Sequence, residues 1–479
     1  MASAVKQSAG AKDTHRRCIL MWSRLALRRF FERVAGEMAA ILLRRLVGAL
    51  AFTLIVGAAW AQTSLPPADA IHLGVASCAG STCHGAVQRL PGSSVAQNEY
   101  ITWSHKDKHA KAYAVLGEAR SQRIAKNLGL GDARTAQICL DCHADNVPPD
   151  RRGPQFQISD GVGCEACHGG AQSWLGIHIS GAKHAANLAA GLYPTDDPVA
   201  RAVKCLSCHQ GDDKKFVTHQ IMGAGHPRIS FELDTYTLAE PAHFVVDKVY
   251  IQRKGPVNDV RVWAVGQAVA LEKFMDAVID PKHAPKGLFP ELVLFDCTAC
   301  HHGMDDLRWQ AQPSVGLPPG LPPLNTANAV MLKIIAQRVA PGVAKSLGDH
   351  LLALHHASTE SWGAVQNEAR ALRQIAVDLV PTISSHDFTR DDMRALADGL
   401  VAAGLDHDAG DYPGAEQATM ALASIVSGMR MGGYIGEPQA REMNDKLNGL
   451  YEALNNNATY KPEIFVAALR EFQKTLPGR

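Results

Sequence analysis

Aromatic residues are scarce, 6% of 479 positions, which is thin for a chain that must fill its interior with side chains alone. Net charge is almost absent at +1, so nothing argues for a nucleic-acid partner, whose phosphates are met by an excess of Lys and Arg. A membrane-spanning run is also lacking. The apolar stretch "LVGALAFTLIVGAAWA", Leu46 to Ala61, has 16 residues, short of the roughly 20 that a spanning helix needs. Cysteine is missing from everything beyond Cys300. That last absence divides the chain into a cysteine-bearing part and a part whose chemistry is ordinary packing.

The near-zero charge conceals an asymmetry. Residues 1–61 hold ten Lys or Arg against three Asp or Glu, and the remainder is net acidic. Arg44 and Arg45 precede the apolar stretch, which ends in the small-x-small run Ala59-Trp60-Ala61. A basic region, a short apolar region and a small-residue site together describe a secretory signal peptide. A start at Met38 gives that signal its ordinary length, and the competing reading is an uncleaved anchor. The expectation is a periplasmic, exported protein cut after residue 61, with membrane association only through an uncleaved N-terminal segment or a docking partner.

Cys18 lies in the segment to be removed, and the ten cysteines that remain form five pairs. Four pairs read Cys-x-x-Cys-His: Cys139/Cys142-His143, Cys164/Cys167-His168, Cys205/Cys208-His209 and Cys297/Cys300-His301. This is the pattern of c-type haem attachment, in which two thiols bond the haem vinyl groups and the next histidine ligates the iron. Zinc sites or disulfides also use paired cysteines, but both leave the following residue free. With 21 histidines in 479 residues, five histidines in that position by chance has odds on the order of one in ten million.

The fifth pair is irregular. In "SCAGSTCHGAV", Cys78 and Cys83 are four residues apart and His84 follows. The intervening Ala, Gly, Ser and Thr are small, and Gly80 allows a tight turn, so a longer arch can bulge away while both sulfurs reach one porphyrin. A Cys78–Cys83 disulfide is the alternative. Five covalently attached haem c groups are therefore expected within 224 residues, Cys78 to His301. Their apolar plates replace much of a conventional core.

A second histidine on an iron suits electron transfer, and an open position suits substrate chemistry. The cysteine-rich part also holds His72, His105, His109, His178, His184, His219, His226, His243, His283 and His302. His109, His178 and His226 are favoured as second ligands, followed by His72 and His219. His105 and His109, four apart, fall on one face of an expected helix.

Past the cysteines, the Pro and Gly of residues 313–326 read as a linker. From 327 to 479, segments such as "MRALADGLVAAGL" and "QATMALASIVSGMRM" repeat apolar residues at three and four. Five to seven helices are expected there. The fold class is thus mainly α with little sheet: a multihaem cytochrome c domain over 62–312, then a Cys-free helical bundle.

The segments "GVGCEACHGGAQSW", "GAGHPRISFELDTY" and "DCTACHHGM" resemble the cytochrome c-554 family of multihaem cytochromes, over roughly His72 to Gln310. The resemblance implies a mostly helical periplasmic protein with stacked haem pairs and predominantly bis-histidine iron. Named members accept electrons from hydroxylamine oxidation in nitrifying bacteria, and one haem of the family can lack a sixth protein ligand. It makes His84, His143, His168, His209 and His301 the proximal ligands, with His109, His178 and His226 in matching spacers. This chain departs in having a fifth site and a helical C-terminal region. The function expected is electron relay between redox protein donors and acceptors. The alternative is a haem enzyme with one open iron acting on a small nitrogen-oxide or hydroxylamine-type substrate. The Cys-x-x-Cys-Lys unit that typically marks the catalytic haem of pentahaem nitrite reductases does not occur here.

Overall fold

Helices account for nearly all regular structure, and among the described residues the only β pairing is two isolated bridges, His72 with Arg152 and Phe295 with Leu324. A computed structural model describes residues 70–89, 91, 95–287, 289–302 and 309–478. The expected signal peptide, the Met38 start and Cys18 lie outside these residues. The helices of eight residues or more are α1 Glu99–Lys106, α2 Ala119–Asn127, α3 Pro198–His209, α4 Asp259–Ile279, α5 Ala327–Val339, α6 Pro341–Ala357, α7 Trp362–Ser385, α8 Arg390–Leu405, α9 Tyr412–Met431, α10 Glu437–Ala453 and α11 Pro462–Gln473. The mainly-α expectation holds, and seven of these helices lie beyond residue 326. Among the described residues no helix is long and apolar enough to cross a membrane.

Helix α4 is the centre of the molecule because its sequence, "DVRVWAVGQAVALEKFMDAVI", is apolar on nearly every face. It starts where the Asn258 side chain accepts from the Arg261 amide at 2.9 Å. From Val260 to Leu271 only Arg261 escapes full burial. Its main neighbour is α7, whose buried residues Val365, Ala369, Leu372, Ala376, Leu379 and Ile383 alternate steps of four and three along one stripe. Close approach needs small residues: a Cβ on Gly266 would stand 2.7 Å from Leu233, and one on Gly428 of α9 would stand 2.8 Å from Val260. Helix α8 begins with a reciprocal capping box between Thr389 and Asp392, in the place where the sequence put acidic residues.

One buried apolar cluster runs from Ala202 to Leu476. It lies on both sides of residues 313–326, where Leu317 and Leu324 are buried and Ser314 donates to Asp408 at 2.7 Å. Trp263 of α4 is fully buried in this cluster. Trp263→Ala is expected to destabilise the bundle by about 3–5 kcal/mol, measurable as a fall in the urea midpoint with the slope unchanged.

The region from residue 70 to about 250 is built differently. Its helices are short, and among the described residues its one separate apolar cluster consists of Leu116, Ala125, Ala133, Leu140 and Ala144. Helices of five to nine residues are unstable by themselves. Polar and backbone ties supplement this small cluster. The buried Glu165 carboxylate accepts from the Leu73, Gly74 and Ala171 amides at 2.8, 2.6 and 2.7 Å. Helix α3 joins the two regions: Asp197 caps it, Ala202 and Leu206 enter the large cluster, and its last residues are Cys205 to His209.

Candidate functional site

Three of the four regular cysteine units sit on short helical turns or helix ends. Cys139–His143 closes the helix Gln137–His143, Cys164–His168 is a helix by itself, and Cys205–His209 ends α3. Cys297–Ala299 forms a 3₁₀ turn. A helical turn puts residues i and i+3 on one face, so two thiols with two residues between them point the same way.

The irregular unit solves the same problem with a coil. The Cys83 and Gly85 amides both donate to the Gly80 carbonyl, at 2.8 and 2.9 Å, and the His84 amide donates to the Cys78 carbonyl at 3.2 Å. A Cβ on Gly85 would stand 2.0 Å from the Ala79 carbonyl oxygen. Gly85 is therefore a requirement of the long arch, a role that the sequence does not single out. Among the described residues none of the ten paired cysteines forms a disulfide.

The histidines following the cysteines each face a second histidine. Ring centroids are 6.1 Å apart for His84 and His178, 6.1 Å for His209 and His109, and 6.4 Å for His143 and His226. They are 6.5 Å apart for His168 and His243, and 6.0 Å for His301 and His219. Two imidazoles on opposite sides of one metal, with metal–nitrogen bonds of about 2.0–2.1 Å and about 1.1 Å more to each ring centre, stand about 6.3 Å apart. All five pairs match that spacing.

Four of the ten rings are also oriented through Nδ1, which leaves Nε2 for the partner. The Nδ1–H of His84 donates to Glu99 at 2.9 Å, and that of His109 to Asp107 at 3.0 Å. His143 donates to the Ala112 carbonyl at 3.0 Å and His226 to the Pro227 carbonyl at 2.8 Å. Such bonds fix tautomer and ring direction in metal-binding histidines. Burial pushes His168 and His209 down to about 4, so both rings are neutral at pH 7 and offer a lone pair. The His226 loop is held by Arg228 and Ser230, which donate to Glu416 of α9 at 2.8 and 2.6 Å.

Neighbouring cysteine units touch. The Cys78 thiol meets that of Cys164, and the Cys142 thiol meets that of Cys208, which Lys215 also approaches at 3.0 Å. A cavity lined by His209, Met222, Phe231, Cys297, Asn328 and Glu416 adjoins the fourth and fifth units, so helices beyond residue 326 wall the space beside Cys297.

His109, His178, His226 and His219 all face a histidine that follows a cysteine pair. His72 does not. Its Nδ1 is 2.7 Å from Asp145, and its backbone pairs with Arg151 and Gly153. His243 stands opposite His168 instead. His243 was one more spacer histidine in the sequence, outside any helix, and nothing local distinguished it. The shared helix face of His105 and His109 is not formed either: α1 ends at Lys106, Asp107 is extended, and His109 opens a separate 3₁₀ turn.

Residues 77–169, from the start of the irregular unit to just past His168, match the family described as cytochrome c554 and c-prime. This match to the cytochrome c-554 family is confined to under half of the chain. No curated protein and no solved structure matches the chain. The cytochrome match covers the first three cysteine units and carries with it a c-type cytochrome's covalently bound haem c and its role in electron transfer. The donor set fits that group: thiols in pairs, each pair beside an imidazole that faces a second imidazole at metal-spanning distance. In such a cytochrome, haem supplies a one-electron iron couple whose potential is set by ligands, hydrogen bonds and burial.

Proposed function

We propose that the chain is an exported pentahaem c-type cytochrome that relays electrons between redox protein partners, with bis-histidine ligation at every iron. The observation that carries this reading is the five-fold pairing of histidine rings at 6.0–6.5 Å. Cys78/Cys83, Cys139/Cys142, Cys164/Cys167, Cys205/Cys208 and Cys297/Cys300 hold the macrocycles. The ligand pairs are His84 with His178, His143 with His226, His168 with His243, His209 with His109, and His301 with His219.

The protein's work in this reading is to hold and orient. Two imidazoles per iron leave no position for a small substrate, which favours transfer over turnover. The paired rings approach from segments far apart in sequence, so each haem ties distant parts of the chain together. The contacts Cys78–Cys164 and Cys142–Cys208 would bring the first haem close to the third and the second close to the fourth, as hopping requires. Periplasmic location rests on the signal-like stretch Leu46 to Ala61, and the partners are proteins, with no nucleic acid.

Intact mass of the purified protein tests the reading. Five haem additions on a chain beginning at Gln62 are expected, and Cys83→Ser lowers the count to four. Four additions on the unaltered chain would remove the first site from the set.

A further inference from the structure

We infer that Glu99 and Asp107, at the two ends of α1, are positioning residues that lower the reduction potentials of the first and fourth haem sites relative to the second. This rests on the proposed haem sites and adds to them a charged residue for each of two irons.

One stretch of chain supplies the hydrogen-bond acceptors of three sites. Glu99 opens α1 and accepts from His84 Nδ1 at 2.9 Å. Asp107 follows the last residue of α1 and accepts from His109 Nδ1 at 3.0 Å. Ala112, five residues on, offers its carbonyl to His143 at 3.0 Å. With a rise of about 1.5 Å per residue, α1 separates the backbones of the two residues by about 12 Å. Each is oriented by a second bond: the Gln97 amide donates to Glu99 at 3.1 Å, and the His109 amide donates to Asp107 at 2.9 Å. Asp107 is buried and Glu99 is partly so, which limits the access of water to both acceptors. Trp103, between them on α1, donates to the Val162 carbonyl at 3.1 Å and holds the helix against the third unit.

The acceptors differ in charge by site. At the second site, both His143 and His226 donate to neutral carbonyls. At the first and fourth sites one imidazole donates to a carboxylate. A carboxylate on Nδ1–H draws the proton outward and makes the ring a stronger donor to the metal. A stronger donor favours the ferric over the ferrous state, and a buried negative charge favours it further. The first and fourth sites therefore hold electrons less tightly than the second, and the carboxylates at the ends of α1 contribute to the difference. At the fourth site Glu240 also clusters beside Asp107 and His109, and Lys215 acts there in the opposite sense.

Glu99→Gln and Asp107→Asn keep an oxygen that can accept from Nδ1–H but remove the charge. In spectropotentiometric titrations of the haem-loaded protein, each variant is expected to raise one component's potential. The expected change is at least tenfold in the reduction equilibrium, about 59 mV for one electron, with haem count and low-spin signals unchanged. Glu99→Asp, which keeps the charge, is expected to stay closer to the wild-type value than Glu99→Gln. Potentials that do not move in either neutral variant overturn the inference. Loss of a haem on Glu99→Gln overturns it for Glu99, which would then be a structural support, and the Asp107 variant decides the fourth site independently. If intact mass shows Cys78 and Cys83 unmodified, the reading of the first site fails, while the Asp107 arm still tests the inference.

Discussion

Replacing His243 with glycine is expected to turn one of five low-spin irons high-spin, whereas replacing His72 with glycine leaves all five low-spin. Electron paramagnetic resonance of the oxidised protein reads both outcomes. His243 lies 6.5 Å from His168 between ring centroids, in a stretch without helix. Glycine removes the imidazole and leaves room for an exogenous ligand, so added imidazole should restore the low-spin signal. His72 is engaged elsewhere, by Asp145 at 2.7 Å, and its loss should cost at most the stability of that contact. A high-spin signal from the His72 variant, with none from the His243 variant, would reverse the assignment of the third iron.

A second large effect concerns folding without haem. A chain with serine at all ten attachment cysteines is expected to keep amide protection in α4 to α11 and to lose it between residues 70 and about 190. Hydrogen exchange measured by mass spectrometry resolves the two regions. Ordering a residue's backbone costs about 1–2 kcal/mol, and the first region offers one apolar cluster of five side chains, three of them alanine, against that cost. The second region has its own core, built on Trp263, Leu271, Leu372, Ile425 and Phe465, all fully buried. Sub-global opening follows such differences in buried contact. Retained protection across residues 100–170 would show that hydrogen bonds such as those of Glu165 suffice without the prosthetic groups.

Most of the helical part was legible because its signals are local. The three-four stripe of α7 and the acidic start of α8 are readable from residues within one or two turns. The break after Lys106 was not, because the Asp107 side chain turns back to the His109 amide and ring and competes with continuation of the helix. The sequence also marked the irregular unit as an arch of small residues, yet it passed over Gly85, whose need is a contact with the Ala79 carbonyl.

The sequence by itself determined that a histidine stands beside each thiol pair, since the pair and the residue after it are fixed to one another by covalent neighbourhood. Tertiary structure alone decided which second histidine faces each of them. That partner comes from a distant segment, and His72 and His243 differ in placement and not in kind. The same holds for the carboxylate behind His84: Glu99 is fifteen positions from its histidine, and only the fold brings the charge to the ring, whereas Asp107 is a local neighbour of His109.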